Sequence, residues 1–116
     1  MRHHNRNKKL GRDRDGRRAL LKSLMCSLIR YEKIKTTETK AKQLRPYIER
    51  IVTKAKIDSV ANRRFVLSKI GNKTQMTKLF TKIAPKYIDV KGGYTRITKL
   101  PIRLSDSSKM ALIEFL

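Results

Sequence analysis

Basic side chains dominate the first 18 positions of the chain, and the chemistry that they offer is anion binding. The segment MRHHNRNKKLGRDRDGRR holds eight Lys or Arg residues and two aspartates. An ammonium binds phosphate as a compact charge, whereas a guanidinium presents a planar fork of donors that matches phosphate oxygens. The pattern predicts a phosphate-binding arm, whose cations are Arg2, Arg6, Lys8, Lys9, Arg12, Arg14, Arg17 and Arg18.

Two adjacent histidines, His3 and His4, lie in the same segment and raise the alternative of a metal site. The nearest carboxylates, Asp13 and Asp15, are flanked by arginines that would repel a metal ion. No Cys or His at the spacing of a metal site accompanies the pair. We therefore predict that both histidines are polar side chains of the arm and that no metal is bound.

The net charge of the whole chain favours a polyanion as partner. Lys and Arg number 30 against 9 Asp and Glu, which gives a formal charge of +21 at pH 7. A domain with this charge repels itself, and binding to a polyanion relieves the repulsion. Nucleic acid is the expected polyanion. A membrane surface is the competing one, but the chain has no apolar run long enough to span a bilayer and no lipidation motif, so no membrane partner is predicted.

The arm also differs from the targeting segments that begin many chains. Secretory signals need an apolar stretch of about 7–15 residues, and organellar presequences are amphipathic, rich in serine and poor in acids. Residues 1–18 contain no serine, two aspartates and no apolar stretch. The single cysteine, Cys26, stands in the apolar run LLKSLMCSLI, which predicts a core thiol and a reducing, intracellular compartment.

Length and composition predict one domain and no enzymatic activity. The 116 residues leave no room for a second domain, and a hydrophobic content of 39% with 6% aromatic residues predicts an aliphatic core. Both histidines lie in the arm, the acids are scattered among cations, and the sequence has no GxGxxG, P-loop, HExxH or CxxC motif. We predict no cofactor and no small-molecule substrate.

The segment GGYTR is the one candidate phosphate cradle outside the arm. Gly92 and Gly93 would let the backbone approach a phosphate, Tyr94 could stack on a base, and Arg96 could bind phosphate oxygens. Two glycines before a strand also form ordinary turns. Both interpretations stay open at this point.

Apolar residues at spacings of three and four predict four helices that carry these groups. The first follows Gly16, is capped by Asp15 and buries Leu20, Leu21, Leu24, Met25 and Leu28. The second is capped by Thr37 and buries Ala41, Leu44, Ile48, Ile51, Val52 and Ala55. Pro46 kinks this second helix or marks its first turn.

The remaining elements are two helices and three strands. The third helix spans Asp58 to Ile70, with Asp58 or Ser59 as cap, Gly71 as stop, and Val66, Leu67 and Ile70 inward. The fourth runs from Lys73 to Ala84, buries Met76, Leu79, Phe80 and Ile83, and ends at Pro85. KIKTTE predicts a strand after the first helix, and YTRITKLPIRL and MALIEFL predict an antiparallel hairpin whose Pro101 lies at an edge or a bulge.

Several motifs together resemble one protein family. MRH at the start, IKTTETKAKQLRP in the middle, then DSVANRR and GGYTRI follow the order and spacing of the bacterial large-subunit ribosomal protein L-seventeen family. The resemblance runs from Met1 to Leu116. It implies a two-layer α+β domain at residues 16–116, with one helix, one strand, three helices and two strands, behind a basic RNA-binding arm at residues 1–15.

The resemblance also implies a function. Members are structural constituents of the large ribosomal subunit, in the cytoplasm, that bind ribosomal RNA near the peptide exit tunnel beside neighbouring ribosomal proteins. Their basic arm enters the RNA, and this role would fall here to Arg2, His3, His4, Arg6, Lys8, Lys9 and Arg12. The other motifs imply RNA contacts at Lys35, Thr36, Thr37, Lys40, Lys42, Asn62, Arg63, Arg64, Gly92, Gly93, Tyr94 and Arg96.

One departure from the family and two rival functions remain at this stage. The sequence has RDGR where a Ser-Ser-His-Arg stretch usually stands, so Gly16 replaces a ring that could contact RNA. A nucleic-acid-binding protein outside the ribosome would share the charge. A small RNA-modifying enzyme would need a pair of titratable groups near the basic surface.

Overall fold

The architecture follows the helix and strand order that the sequence predicts. The computed structural model describes residues 9–116. Its elements are α1 (Arg14–Tyr31), β1 (Lys33–Thr37), α2 (Glu38–Ala55), α3 (Val60–Ile70), α4 (Lys73–Lys78), β2 (Thr95–Leu100) and β3 (Met110–Phe115). A π-helical turn (Leu79–Ile83) and a 3-10 turn (Ala84–Tyr87) follow α4 directly. The α+β class is therefore confirmed.

The three strands form one antiparallel sheet with β3 in the centre, in the order β1, β3, β2. Ile34, Ile113 and Ile97 lie side by side in register on the face that packs against the helices. The opposite face carries exposed Lys33, Lys35 and Arg96. The predicted hairpin of β2 and β3 is confirmed, and β2 is an edge strand that ends just before Pro101, where the missing N–H breaks no ladder bond.

The core lies between the sheet and the helices and is mainly aliphatic, as predicted. All six residues of the α2 stripe are buried, because their spacing places them on one face of the helix: Ala41, Leu44, Ile48, Ile51, Val52 and Ala55. Pro46 lies within this helix, beyond its first turn. Leu67 is a correction, because it points outward from α3 and is 38% exposed. Cys26 is half-buried, and burial raises the pKa of its thiol.

The helix caps agree with prediction at three ends and differ at one. Thr37 caps α2, Ser59 caps α3, and Gly71 ends α3 in the left-handed conformation with a φ of 71°. The N-cap of α1 is Asp13 and not Asp15, because the Asp13 carboxylate accepts a hydrogen bond from the Gly16 amide at 2.7 Å. Helix α1 therefore starts at Arg14, and the RDGR segment forms its first turn.

Pro85 does not end the helical path as predicted. The α-helical hydrogen bonding stops earlier, at Lys78, and the chain winds on through the π turn, where the Ala84 amide donates to the Leu79 carbonyl. Pro85 lies at the start of the 3-10 turn, a position where its missing N–H costs little. The continued winding carries Tyr87 into the core.

Candidate nucleic-acid interface

Three helices form an open groove of about 810 Å³ on the side of the domain where α1 begins. Helix α1 contributes residues 14, 15, 17, 18, 19, 21, 22 and 25, α2 contributes 47, 50 and 51, and α3 contributes 65, 68 and 69. The α2 and α3 sets have the three- and four-residue spacing that places side chains on one helix face, whereas α1 contributes a wider surface. The buried side chains of Leu21, Met25 and Ile51 provide part of the apolar lining.

Cations dominate the lining of this groove. Its basic residues are Arg14, Arg17, Arg18, Lys22, Arg50 and Lys69, and its single acid is Asp15. In the part of the chain that the structure describes, none of the six basic residues takes part in an ion pair. Six basic residues against one acid inside a concave surface concentrate a positive electrostatic field there. The groove is therefore the most suitable described surface for a polyanion.

Sequence reasoning found half of these cations and missed the others. The sequence predicts Arg14, Arg17 and Arg18 as phosphate-binding cations of the arm, and all three line the groove. Lys22, Arg50 and Lys69 were missed, because their convergence depends on how α1, α2 and α3 pack. The i, i+4 spacing of Arg14, Arg18 and Lys22 is a signal that could have extended the predicted surface along α1.

Several predicted contact residues are instead paired with acids. Arg63 donates to both carboxylate oxygens of Asp58, at 2.6 and 2.8 Å, which holds the pKa of that carboxyl below its usual value. Arg96 donates twice to Glu114 on the outer face of the sheet. Lys42 pairs with Glu38 at 2.9 Å, and its hydrogen bond lowers the pKa of Glu38. Their charge is partly neutralised, unlike that of the groove.

The stacking role predicted for Tyr94 is wrong, because the ring lies in the core. Only 1% of Tyr94 is exposed, and its ring packs against Tyr87 at a centroid distance of 5.3 Å. Its hydroxyl accepts a hydrogen bond from the Lys56 ammonium at 3.1 Å and pairs with the Thr53 hydroxyl at 3.2 Å. These bonds, that of Thr53 first, lower the pKa of Tyr94. A base cannot reach this ring without unfolding its surroundings.

The two glycines of GGYTR are exposed and differ in backbone conformation. Gly93 has a φ of 66°, which L-residues rarely adopt, whereas Gly92 lies outside that region. Among the described residues, and apart from the adjacent ones in the chain, no atom lies within 4 Å of the position that a Cβ would occupy at either glycine. The loop therefore has open space beside it, and the glycine at position 93 is required by the turn.

We expect Gly93→Ala to lower the free energy of unfolding by about 1–2 kcal/mol, since a Cβ is disfavoured at this φ. Gly92→Ala is the matched control and should change stability by less than about 0.5 kcal/mol. Urea unfolding of both variants measures the difference. Equal stability of the two variants would contradict the conformational assignment of Gly93.

Other predicted contact residues lie in three places. Lys35 is exposed on the outer face of the sheet, whereas Thr36 is buried and Thr37 is occupied as the cap of α2. Lys40 is half-buried near the start of the same helix. On α3, Arg64 is exposed, and the Asn62 amide donates to the Ile57 carbonyl at 2.8 Å. The structure does not bring these residues into the groove.

The arm is only partly within the described residues. Lys9 and Arg12 are exposed, and Arg12 donates to the Leu10 carbonyl at 2.7 Å. The predicted contacts Arg2, His3, His4, Arg6 and Lys8 lie outside the described residues. Among residues 9–116, no cluster of three or more His, Cys, Asp or Glu side chains could hold a metal, and no helix is long and apolar enough to cross a membrane.

These features define a class of protein: a small and strongly basic α+β domain whose concave surface is suited to a polyanion. Comparison with known proteins identifies the family. The model of the family described as ribosomal protein L17 matches residues 20–116. The chain therefore belongs to the ribosomal protein L17 family, which agrees with the resemblance seen in its motifs.

Individual relatives are similar over nearly the whole chain. A protein of Sphingopyxis alaskensis named large ribosomal subunit protein bL17 is 47% identical over 115 residues, covering 99% of this chain and 83% of the relative. Proteins of the same name from Fusobacterium nucleatum and Campylobacter jejuni subsp. doylei are 45% and 47% identical, each over at least 98% of both chains. As a family member, the chain is a structural component of the large ribosomal subunit and not an enzyme, located in the ribosome, which is cytoplasmic in bacteria.

Proposed function

We propose that this chain binds and stabilises large-subunit ribosomal RNA near the peptide exit tunnel, beside neighbouring ribosomal proteins. The observation that carries the RNA part is the groove, where six basic residues face a single acid and none of them is ion-paired within residues 9–116. The formal charge of +21 and the family membership support the same conclusion. The proposed location near the exit tunnel is based on the family resemblance.

The mechanism follows from electrostatics and shape. RNA segments that pack together repel one another through their phosphates, and arginine side chains can bind phosphates of two segments at once. The folded domain holds the groove arginines on helices, so their spacing is fixed before RNA arrives. The basic arm adds further positive charge that attracts RNA.

The test of RNA binding is its dependence on salt. Each neutralised phosphate contributes about −0.7 to −0.9 to the slope of log affinity against log salt. Full use of the six groove cations therefore gives a slope of about −4 to −5, made steeper by the arm. Filter binding of the full chain to isolated large-subunit ribosomal RNA measures this slope. A flat response would contradict the proposal.

The position beside the tunnel needs a separate experiment. Cross-linking of assembled large subunits, followed by mass spectrometry, should join exposed lysines of this chain to proteins that surround the tunnel exit. Lys82 and Lys86 are suitable attachment points, because both are exposed and neither lines the groove. Cross-links only to proteins remote from the exit would contradict this part of the proposal.

We expect deletion of residues 2–8 to reduce entry into ribosomes while leaving the domain folded. The deletion removes Arg2, Arg6 and Lys8, whereas the cap of α1 and the core lie beyond residue 12. Competition between tagged variant and parent chains in growing cells measures incorporation, and thermal unfolding checks the fold. Undiminished incorporation would show that residues 2–8 contribute nothing to entry into ribosomes.

A further inference from the structure

An exposed aromatic ring lies in the cationic groove and is not used by the fold. Tyr47 on α2 is 48% exposed and lines the groove together with Arg50, one turn further along the same helix. Within residues 9–116, no other aromatic ring packs on Tyr47 and no cation lies over its face. A large ring so placed contributes little to the core, and about half of the residue, 48%, is accessible to a flat partner.

The other aromatic residue of the groove is differently engaged. Phe65 on α3 is half-buried against the core, and the ammonium groups of Lys54 and Lys69 lie 5.5 and 5.6 Å from its centroid. Its ring is thus occupied by cations from the protein itself. Tyr47 is thus the groove aromatic without a ring or cation partner in the described residues, next to cations that can hold phosphates on either side of a stacked base.

The size and chemistry of the groove favour a single strand over a duplex. A volume of about 810 Å³ falls in the range of sites for molecules of nucleotide size. A duplex keeps its bases stacked on one another and presents mainly phosphates and sugars to such a surface. Phosphates alone would use the arginines and leave the ring of Tyr47 without a partner.

We propose that the groove binds an unpaired segment of ribosomal RNA, with one base stacked on Tyr47 and the adjoining phosphates held by Arg14, Arg18 and Arg50. This inference rests on the proposed function and adds a base-stacking site to it. The site makes the contact selective for RNA whose bases are splayed out, such as a loop or a bulge, through shape rather than base sequence.

The experiment uses the full-length chain and compares substitutions of a tyrosine and an arginine in the groove with the same substitutions of a tyrosine and an arginine outside it. The groove variants are Tyr47→Ala and Arg50→Gln. The controls are Tyr31→Ala and Arg30→Gln, because this pair is exposed at the end of α1 and lies outside the groove. The probes are a short unstructured single-stranded RNA and a duplex of the same length, each titrated over a range of salt concentrations.

The two groove variants should fail in different ways. Tyr47→Ala is expected to weaken single-strand binding by about 5-fold to 100-fold with an unchanged salt slope, because stacking involves no counterion release. Arg50→Gln is expected to make the slope less steep by about 0.7, as one phosphate contact is lost. Tyr47→Phe keeps the ring and should bind like the parent. Duplex binding should respond to Arg50→Gln but not to Tyr47→Ala.

The outcomes separate this inference from the proposed function. The stacking site would be overturned if Tyr47→Ala and Tyr31→Ala lost equal affinity for the single strand. It would also be overturned if Tyr47→Ala lost equal affinity for the single strand and the duplex. In either case, a steep salt slope of the parent chain would still support RNA binding. A parent chain that binds no ribosomal RNA would overturn both. If Tyr47→Ala unfolds in thermal melts, Tyr47→Leu, which keeps apolar bulk without an aromatic face, replaces it and must show the same selective loss.

Discussion

Replacing Tyr94 with alanine is expected to lower the free energy of unfolding by about 3–5 kcal/mol, the cost typical of deleting a buried aromatic side chain. The ring is 1% exposed and contacts Tyr87, so its loss leaves a cavity between α2 and the 3-10 turn. Tyr94→Phe keeps the packing and removes the hydroxyl bonded to Lys56 and Thr53, and it should cost about 1 kcal/mol. Urea unfolding measures both values.

Tyr31→Ala is the matched control for this prediction, because Tyr31 is 60% exposed and its removal should change stability by less than about 0.5 kcal/mol. A variant at position 94 that unfolds like the parent but loses RNA affinity would contradict the buried position of the ring. It would then restore a stacking role for Tyr94 at the RNA surface.

The second large effect is expected when three groove arginines are neutralised together. Arg14→Gln, Arg18→Gln and Arg50→Gln combined should make the salt slope for ribosomal RNA less steep by about 2–3. The same counterion argument gives a loss of affinity on the order of 10² to 10³-fold at low salt. None of the three is ion-paired within the described residues, so their charge is available to phosphate. Filter binding over a salt series measures both quantities.

A charge-matched control separates the groove from the general charge of the chain. Arg30, Arg45 and Arg103 lie outside the groove, and Arg45 and Arg103 are paired with Glu49 and Asp106. Changing these three to glutamine removes the same net charge and should alter the slope by less than about 1. If both triple variants lost affinity equally, binding would depend on net charge and the groove would have no special role.

Much of the fold could be predicted from the sequence because its local signals agree with its packing. The apolar stripe of α2 repeats at helical spacing, and all of its predicted core residues are buried. Thr37, Ser59 and Gly71 mark helix ends through bonds or backbone angles that involve only neighbouring residues. Such features depend on a few neighbouring positions, so they can be predicted from the sequence alone.

The errors arise where two similar residues compete or where distant segments meet. Asp13 and Asp15 are both good caps, and the outcome depends on which carboxylate reaches an amide, here Asp13 to Gly16. Tyr94 follows two glycines and precedes basic residues, a surface-like context, yet its hydroxyl bonds to Thr53, 41 positions earlier. Local composition carries no information about such a contact.

The groove shows the same limit for function. Its basic residues come from three helices, and only those near the arm stood out in the sequence. Arg50 and Lys69 are unremarkable members of charged helix faces until α1, α2 and α3 pack together. The pairing of Arg63 and Arg96 with acids is likewise a tertiary property, and it distinguishes partly neutralised cations from available ones.

The central claim is that the chain is a structural component of the large subunit and is held there by RNA. Its most direct test is the sedimentation of the tagged chain from growing cells, with and without ribonuclease. We predict that the chain travels with large subunits, is absent from fractions that contain only small subunits, and moves to the top of the gradient once the RNA is digested. A chain that stays at the top without digestion, or remains with a large particle after the RNA is gone, would contradict this function.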